Sequence, residues 1–323
     1  MAACFGLLLA GCGSAPGATP RTAPQESTPA TTTAPASGPS VLPVGVPAPL
    51  TGVPVSAAVQ RRPVLAVAVG SSPAPRGLDR ADIVVEEISS PVRYVALYQS
   101  RDADTVGPVT ETRPVDAQLL AGGKPAIAYT GGPKGFVTQL RRAGVVDLGY
   151  PSQPAAYRAS GSGLYVSTAT LFGLARSAAP AAPRLTYAEA GEPFATKGAA
   201  KAAQVSVTTP GAAAQQWAYV PASQGWQRAD LKIPVSNLVF QEVEYRRIEV
   251  QKGSGVVVPS ARVAVGSGRS TVLSGPAAVA GQWVRKGLKQ ATNFLDPAGV
   301  PLRLAPGSTW VVLLPPGSKV AVR

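Results

Sequence analysis

At 323 residues, with 45% hydrophobic residues and a formal net charge of +13, the chain has apolar material for two folded bodies and a strongly basic surface. It contains no histidine, and Cys4 and Cys12 are its only cysteines. Ser-His-Asp and Cys-His catalysis, histidine-based zinc or iron sites, and any disulfide or thiolate nucleophile within residues 13–323 are therefore excluded.

Residues 1–12 read MAACFGLLLAGC, an apolar run ending in Leu9-Ala10-Gly11-Cys12. That is the pattern of a lipobox: small residues give a peptidase access, and the cysteine thiol takes the lipid. No Lys or Arg precedes the run, as a start codon placed too far downstream would explain. Residues 13–48 are rich in Pro, Thr, Ala and Ser and nearly lack large apolar residues, which predicts an extended tether. Within residues 1–48 the only charges are Arg21 and Glu26, so the positive excess belongs to residues 49–323.

The folded part is expected from about residue 49. Pro63–Val69 is a continuous apolar run of strand length, the pattern of a strand covered on both faces. Ala81–Glu86 and Val92–Gln99 read as two more strands, and Val115–Leu120 as a short helix with Pro114 in its first turn. Ala126–Tyr129 is a strand closed by Thr130-Gly131-Gly132, and Gly135–Ala143 is helical in period. Leu164–Leu174 enters as a strand and leaves as a helix, with Ser167 or Thr168 at its N-cap. Strands alternating with short helices predict an N-terminal α/β domain with a mixed sheet over residues 49–190.

Ala175–Ala203 is poor in large apolar residues and marks a domain boundary. From Gln204 onward the pattern is short strands between Gly and Pro signals: Val205–Val207, Gln216–Val220, Trp226–Arg228, Asn237–Val243, Ile248–Val250, Arg262–Val265, Ser270–Leu273, Gly281–Lys286, Thr292–Leu295, Pro301–Leu304 and Trp310–Leu314. This predicts a mostly-β sandwich or open barrel over residues 200–323. The fold class as a whole is α+β.

An ordered series of short motifs then carries a resemblance. Leu50-Thr51-Gly52, Arg62-Pro63, Gly77-Leu78, Ala81-Asp82-Ile83-Val84-Val85-Glu86, Arg93 before Ala96-Leu97-Tyr98, Val106-Gly107-Pro108-Val109 and Arg113-Pro114 fall in one order. Trp226-Gln227-Arg228-Ala229-Asp230, Asn237-Leu238-Val239-Phe240, Gly266-Ser267-Gly268, Gly281-Gln282-Trp283 and Leu304-Ala305-Pro306-Gly307-Ser308-Thr309-Trp310 continue it. The series resembles the YerB-like bacterial lipoproteins over about residues 50–316. The resemblance implies a two-domain extracytoplasmic lipoprotein and supplies no activity, because the family is one of unknown function. The chain departs from the pattern at three places. Gly70-Ser71 stands for Asp-Asn, Thr110-Glu111 for Arg-Ser, and Ser162-Gly163 for His-Asn.

Glu86, Arg93 and Arg113 form the sharpest candidate set. The matching strand pattern puts the first two at the ends of neighbouring strands, with Arg113 opening a helix nearby. Arginine with a carboxylate suits a clamp on an anionic or sugar ligand, and equally a buried ion pair that fixes the loop. Tyr129-Thr130-Gly131-Gly132-Pro133-Lys134-Gly135 could offer backbone N–H groups to an anion, or be a tight strand-to-helix turn; it lacks P-loop spacing. Asp79, Asp82, Glu86, Glu87, Asp102, Asp104 and Glu111 are the acidic residues available for acid–base work. Asp102 and Asp104 could help hold calcium, although a solvated turn is the commoner use of that spacing. Gly266-Ser267-Gly268 reads as a hairpin turn. Trp217, Trp226, Trp283 and Trp310 could stack on sugar if exposed, or form a core if buried; Trp310 reads as core.

The expected function is a membrane-anchored, non-catalytic envelope lipoprotein, lipidated at Cys12 and held on the outer face of the membrane. The candidate ligand-binding residues are Glu86, Arg93, Arg113, Tyr129, Gly131 and Gly132. Its expected partner is an anionic cell-wall polymer or an envelope protein. No catalytic residue, metal, cofactor or nucleic-acid partner is expected. The alternative is a carboxylate-based hydrolase or transferase acting on wall glycan.

Overall fold

The computed structural model describes residues 45–72, 74–89, 91–189, 192–195, 197–250 and 254–323. The leader with Cys12, and the tether as far as residue 44, lie outside the described residues. Among the described residues no helix is long and apolar enough to cross a membrane.

The chain is mostly β, and its main sheet is mixed. That sheet has eleven strands. Its first side is built from the C-terminal half: Ala277–Arg285, Gly266–Ser274 and Asn237–Glu242 pair antiparallel in that order. Its other side comes from the N-terminal half: Ile83–Glu87 and Leu65–Gly70 flank Arg93–Tyr98 antiparallel, and Ala126–Ala128 joins Leu65–Gly70 in parallel. The two sides meet at Thr309–Leu314, which runs parallel to both Asn237–Glu242 and Ile83–Glu87. One sheet therefore passes through both halves of the sequence.

The seam strands explain their own composition. Thr309–Leu314 is buried at all six positions and Ile83–Glu87 at all five. Strands covered on both faces need continuous apolar runs, and TWVVLL and IVV supply them. Alternate side chains enter two cores. Val84, Tyr94, Phe240, Trp310 and Val312 lie on one face, packed with Trp217 and Trp226 of a second, five-stranded sheet. Ile83, Val85, Val95, Val311 and Leu313 lie on the other, packed with Val115, Leu120 and Leu140 from helices Pro114–Leu120 and Lys134–Arg142.

Several elements agree closely with the sequence pattern. Pro114 occupies the first turn of its helix, and Ser167 caps Thr168–Leu174 by accepting the Thr170 N–H at 3.2 Å. Other expectations are corrected. Gly266-Ser267-Gly268 opens a nine-residue strand and makes no hairpin turn. A Cβ at residue 268 would lie 2.6 Å from the Trp283 indole nitrogen and 2.8 Å from the Glu242 carbonyl, so that glycine lets the two packed elements approach. Residues 263–265 and 301–304 are outside any named strand, whereas Val257–Arg262 and Lys319–Val322 are strands that the pattern left out.

Candidate functional site

Glu86 and Glu87 end the Ile83–Glu87 strand, so their side chains leave on opposite faces of the sheet. Glu86 lies opposite Tyr94 and Glu87 opposite Arg93. Glu86 and Arg93 consequently do not converge. Each belongs to a separate buried cluster.

On the first face Glu86 meets Arg228, brought from the C-terminal half by the Gly225–Arg228 strand. One Glu86 oxygen accepts from Gln215 at 2.8 Å and Arg228 at 2.9 Å. The other accepts from Arg228 at 2.7 Å and from the Trp310 indole at 2.8 Å. Those four bonds fill the acceptor sites that a carboxylate offers. The Arg228 guanidinium also donates to the Tyr94 hydroxyl at 3.2 Å and to Asp230 at 2.6 Å. It lies 5.6 Å from the ring centres of both Trp217 and Trp310. Burial disfavours the Arg228 charge, but Glu86, Tyr94 and Asp230 outweigh it and raise the pKa above the ordinary arginine value. Burial and the Glu86 charge push the Tyr94 phenol up to about 12. A cleft of about 500 Å³ opens beside this cluster, lined in part by Ser71, Val92, Ala213, Gln215 and Asp230.

On the second face Arg93 makes a two-pronged bond to Asp116, at 2.7 and 3.0 Å. It reaches Glu87 at 3.4 Å. Asp116 also accepts from the Thr112 hydroxyl and the Arg113 N–H, each at 2.9 Å, and so closes the start of its own helix. Glu87 accepts the Ala261 N–H at 3.0 Å. Burial raises the Glu87 carboxyl pKa, against the pull of Arg93, Ala261 and Arg113. One guanidinium nitrogen of Arg113 is buried without a hydrogen-bond partner.

The glycine turn packs against this second cluster. The Gly131 carbonyl accepts the Thr112 N–H at 2.9 Å, and a Cβ on Gly132 would lie 3.1 Å from the Thr112 methyl. Their φ angles of +152° and +140° are ones that side-chain-bearing residues rarely adopt. Tyr129 points elsewhere, donating its hydroxyl to Asp147 at 2.9 Å, and Asp147 holds Arg141 at 2.9 Å. Arg93, Arg113, Gly131 and Gly132 are thus gathered around Thr112 and Asp116, while Glu86 is on the far face and Tyr129 joins a third network.

The remaining candidates separate in the same way. Asp82 is buried and accepts the N–H groups of Gln99 and Ser100 and the Ser100 hydroxyl. Asp79, Asp104 and Glu111 are exposed, and Asp102 pairs with Arg62 at 3.1 Å on the surface. Among the described residues no cluster of three or more acidic, cysteine or histidine side chains has metal-binding geometry. All four tryptophans are buried, which leaves none as a sugar platform. Asp116, Arg228 and Gln215 were missed as partners of the candidate residues. A carboxylate two places after Arg113-Pro114 is a capping signal that could have found the first; no local signal pointed to the other two.

The three stretches at which the chain departs from the YerB-like pattern come together. Gly70, Thr110, Ser162 and Gly163, with Ser72, Pro108 and Thr130, line a polar notch of about 270 Å³.

Residues 50–180 match the N-terminal domain of DUF3048, a protein family of unknown function, and residues 205–311 match the C-terminal domain of the same family. The Bacillus subtilis (strain 168) protein named "Putative lipoprotein YerB" is 36% identical over 98 residues, which are 29% of this chain and 30% of that protein. That match therefore spans about three tenths of the curated relative's length. The crystal structure of the YerB protein from Bacillus subtilis superposes with a TM-score of 0.69 at 18% identity, over 85% of this chain and 99% of that one, and so shares its fold. The chain belongs to the two-domain, YerB-like DUF3048 family.

Proposed function

We propose that this protein is an envelope lipoprotein, lipidated at Cys12, whose body binds an anionic wall polymer or an envelope partner without catalysing a reaction. Residues 1–12 act as the leader and 13–48 as the tether. The two sequence domains, 49–190 and 200–323, work as one body on the outer face of the membrane. The lipoprotein name of the Bacillus subtilis relative and the LAGC pattern ending at Cys12 support the anchoring.

The observation that supports the non-catalytic part is the state of two buried carboxylates. Glu86 and Asp116 each accept four hydrogen bonds inside the protein. A group so engaged would have to break structural bonds before it took a proton from a substrate. Meanwhile the charge excess of +13 leaves many arginines and lysines for the surface, where they attract polyanions.

Two measurements on the full-length protein test this reading. In cell fractionation it should sediment with membranes, and Cys12→Ala should release it. Incubated with purified wall, it should be retained at low salt and eluted as salt screens the contact, leaving the glycan profile unchanged. Recovery in the soluble cytosol, or a changed glycan profile, would overturn it.

A further inference from the structure

On the second face of the sheet, at the seam between the two halves, lies an apolar slot. Its floor is made of Ile83, Val85, Val95, Leu97, Val311 and Leu313, contributed by three adjacent strands. The slot is open on one side, and its volume is about 80 Å³. Such a slot would be an ordinary packing defect if its rim were apolar too. The rim instead carries Arg184, Arg285 and Gln241.

These three groups are unusually provided for. Arg285 is only 4% exposed and donates solely to carbonyls, those of Gln290, Val263 and Leu288 at 3.0, 2.8 and 2.6 Å. Arg184 donates to the Leu119 and Gly122 carbonyls, at 2.8 and 3.5 Å. Neither guanidinium meets a carboxylate among the described residues. Burial, then the neighbouring Arg184 charge, pushes the Arg285 guanidinium down to about 10, and burial lowers Arg184 as well. The Gln241 amide nitrogen is buried and has no acceptor, in a residue 4% exposed. A buried guanidinium and a half-buried one, both without a counter-charge, and an unused buried N–H donor, all lining one cavity, are costly unless an anion completes them. More positive charge stands nearby. Lys286 and Lys289 are exposed on the segment that supplies Arg285 and Gln290, and the Lys289 backbone packs against Gly122, two residues before exposed Lys124.

We propose that this slot binds an amphiphilic anion: an alkyl group enters between the seam strands, and a carboxylate or phosphate head is held by Arg184, Arg285 and the Gln241 amide. The cavity is smaller than the void of about 150 Å³ that accepts a benzene ring, so only the first few carbons are enclosed. Binding in the slot does not depend on where the protein resides or on what its outer surface contacts.

The test is calorimetric titration of the full-length protein with butanoate, hexanoate, octanoate, hexyl phosphate, hexanol and hexylamine. Because only the first few carbons are enclosed, affinity should rise from butanoate to octanoate by clearly less than the roughly fourfold per methylene of full burial. The two hexyl anions should bind at least about tenfold more tightly than hexanol, while hexylamine should not bind. Hexanoate against hexyl phosphate separates a fatty-acid head from a phosphate-ester head. Vesicles of phosphatidylglycerol, compared with the monomeric phosphate, distinguish an intact membrane lipid from a free one. Ala291→Trp, at the half-buried rim, should abolish binding with an unchanged melting temperature, which keeps the test open if Arg285→Gln fails to fold. Equal affinity for hexanoate and hexanol, absence of binding by both hexyl anions, or full binding by a folded Ala291→Trp variant would each overturn the proposal.

Discussion

Glu86 and Glu87 are neighbours in the chain, yet arginines from different halves of the sequence neutralise them. Arg228 belongs to the C-terminal half and Arg93 to the N-terminal half. The reason is the two-residue period of a strand, by which a shift of one position moves a side chain to the other face. The Arg93–Asp116 pair is the more demanding of the two systems, because both side chains are almost wholly buried, at 3% and 0% exposure. Breaking one partner of such a pair typically costs about 3–5 kcal/mol, since the other charge is left without compensation. Asp116→Asn should therefore lower unfolding stability by about that much, measured by urea denaturation. Replacing both together, as Arg93→Met with Asp116→Leu, should cost clearly less, because Glu87, whose carboxyl pKa burial already pushes up, takes a proton once Arg93 is gone and leaves no orphaned charge. Equal losses in the single and double variants would contradict the assignment of this pair as a mutually dependent structural unit.

At the scale of elements, Asp82 fastens the start of one seam strand to the end of its neighbour through the Gln99 and Ser100 amides. Burial raises its carboxyl pKa above the ordinary value of 3.8, outweighing the bonds from Ser100 and Gln99 and the Arg101 charge. The folded state thus holds this proton more tightly than the unfolded chain does. Its contribution is fully present below 3.8 and is lost as pH rises through the folded value. Asp82→Asn removes that titration. Its stability relative to the native sequence should rise as pH is taken from about 3.5 to about 7, read from urea midpoints across the range. Parallel pH curves for the two proteins would refute it. The local elements were legible because their signals are local: a continuous apolar run, a proline in a first turn, a serine at a cap. The Gly266–Ser274 strand was not, because two glycines imitate a turn when the indole that crowds one of them, Trp283, is fifteen residues further on. The candidate site was readable only as a set of residue types. Which carboxylate met which arginine depended on strand register and on Gln215 and Arg228 arriving from elsewhere, contacts that no spacing in the chain encodes, whereas Asp116 left a local trace at the cap after Arg113-Pro114.

For the molecule as a whole, the parallel strand Thr309–Leu314 is decisive. It is hydrogen-bonded on both sides, to Asn237–Glu242 and to Ile83–Glu87, and fills the middle of the sheet. The described residues accordingly form one compact unit. A fragment ending at residue 308 would leave Ile83–Glu87 as an apolar open edge, the kind that pairs with other chains. It should be aggregated or unfolded even though it retains every residue of the N-terminal half, whereas the full chain should melt in a single calorimetric transition. A soluble 1–308 fragment with native-like amide dispersion would show that the halves are independent. The same strand bears on how the protein is made. Residues 83–87 leave the ribosome long before residues 309–314 exist, so the nascent polypeptide spends nearly all of its synthesis without the partner that completes its sheet. A chain kept from closing on itself in this way completes its fold only when translation is nearly over.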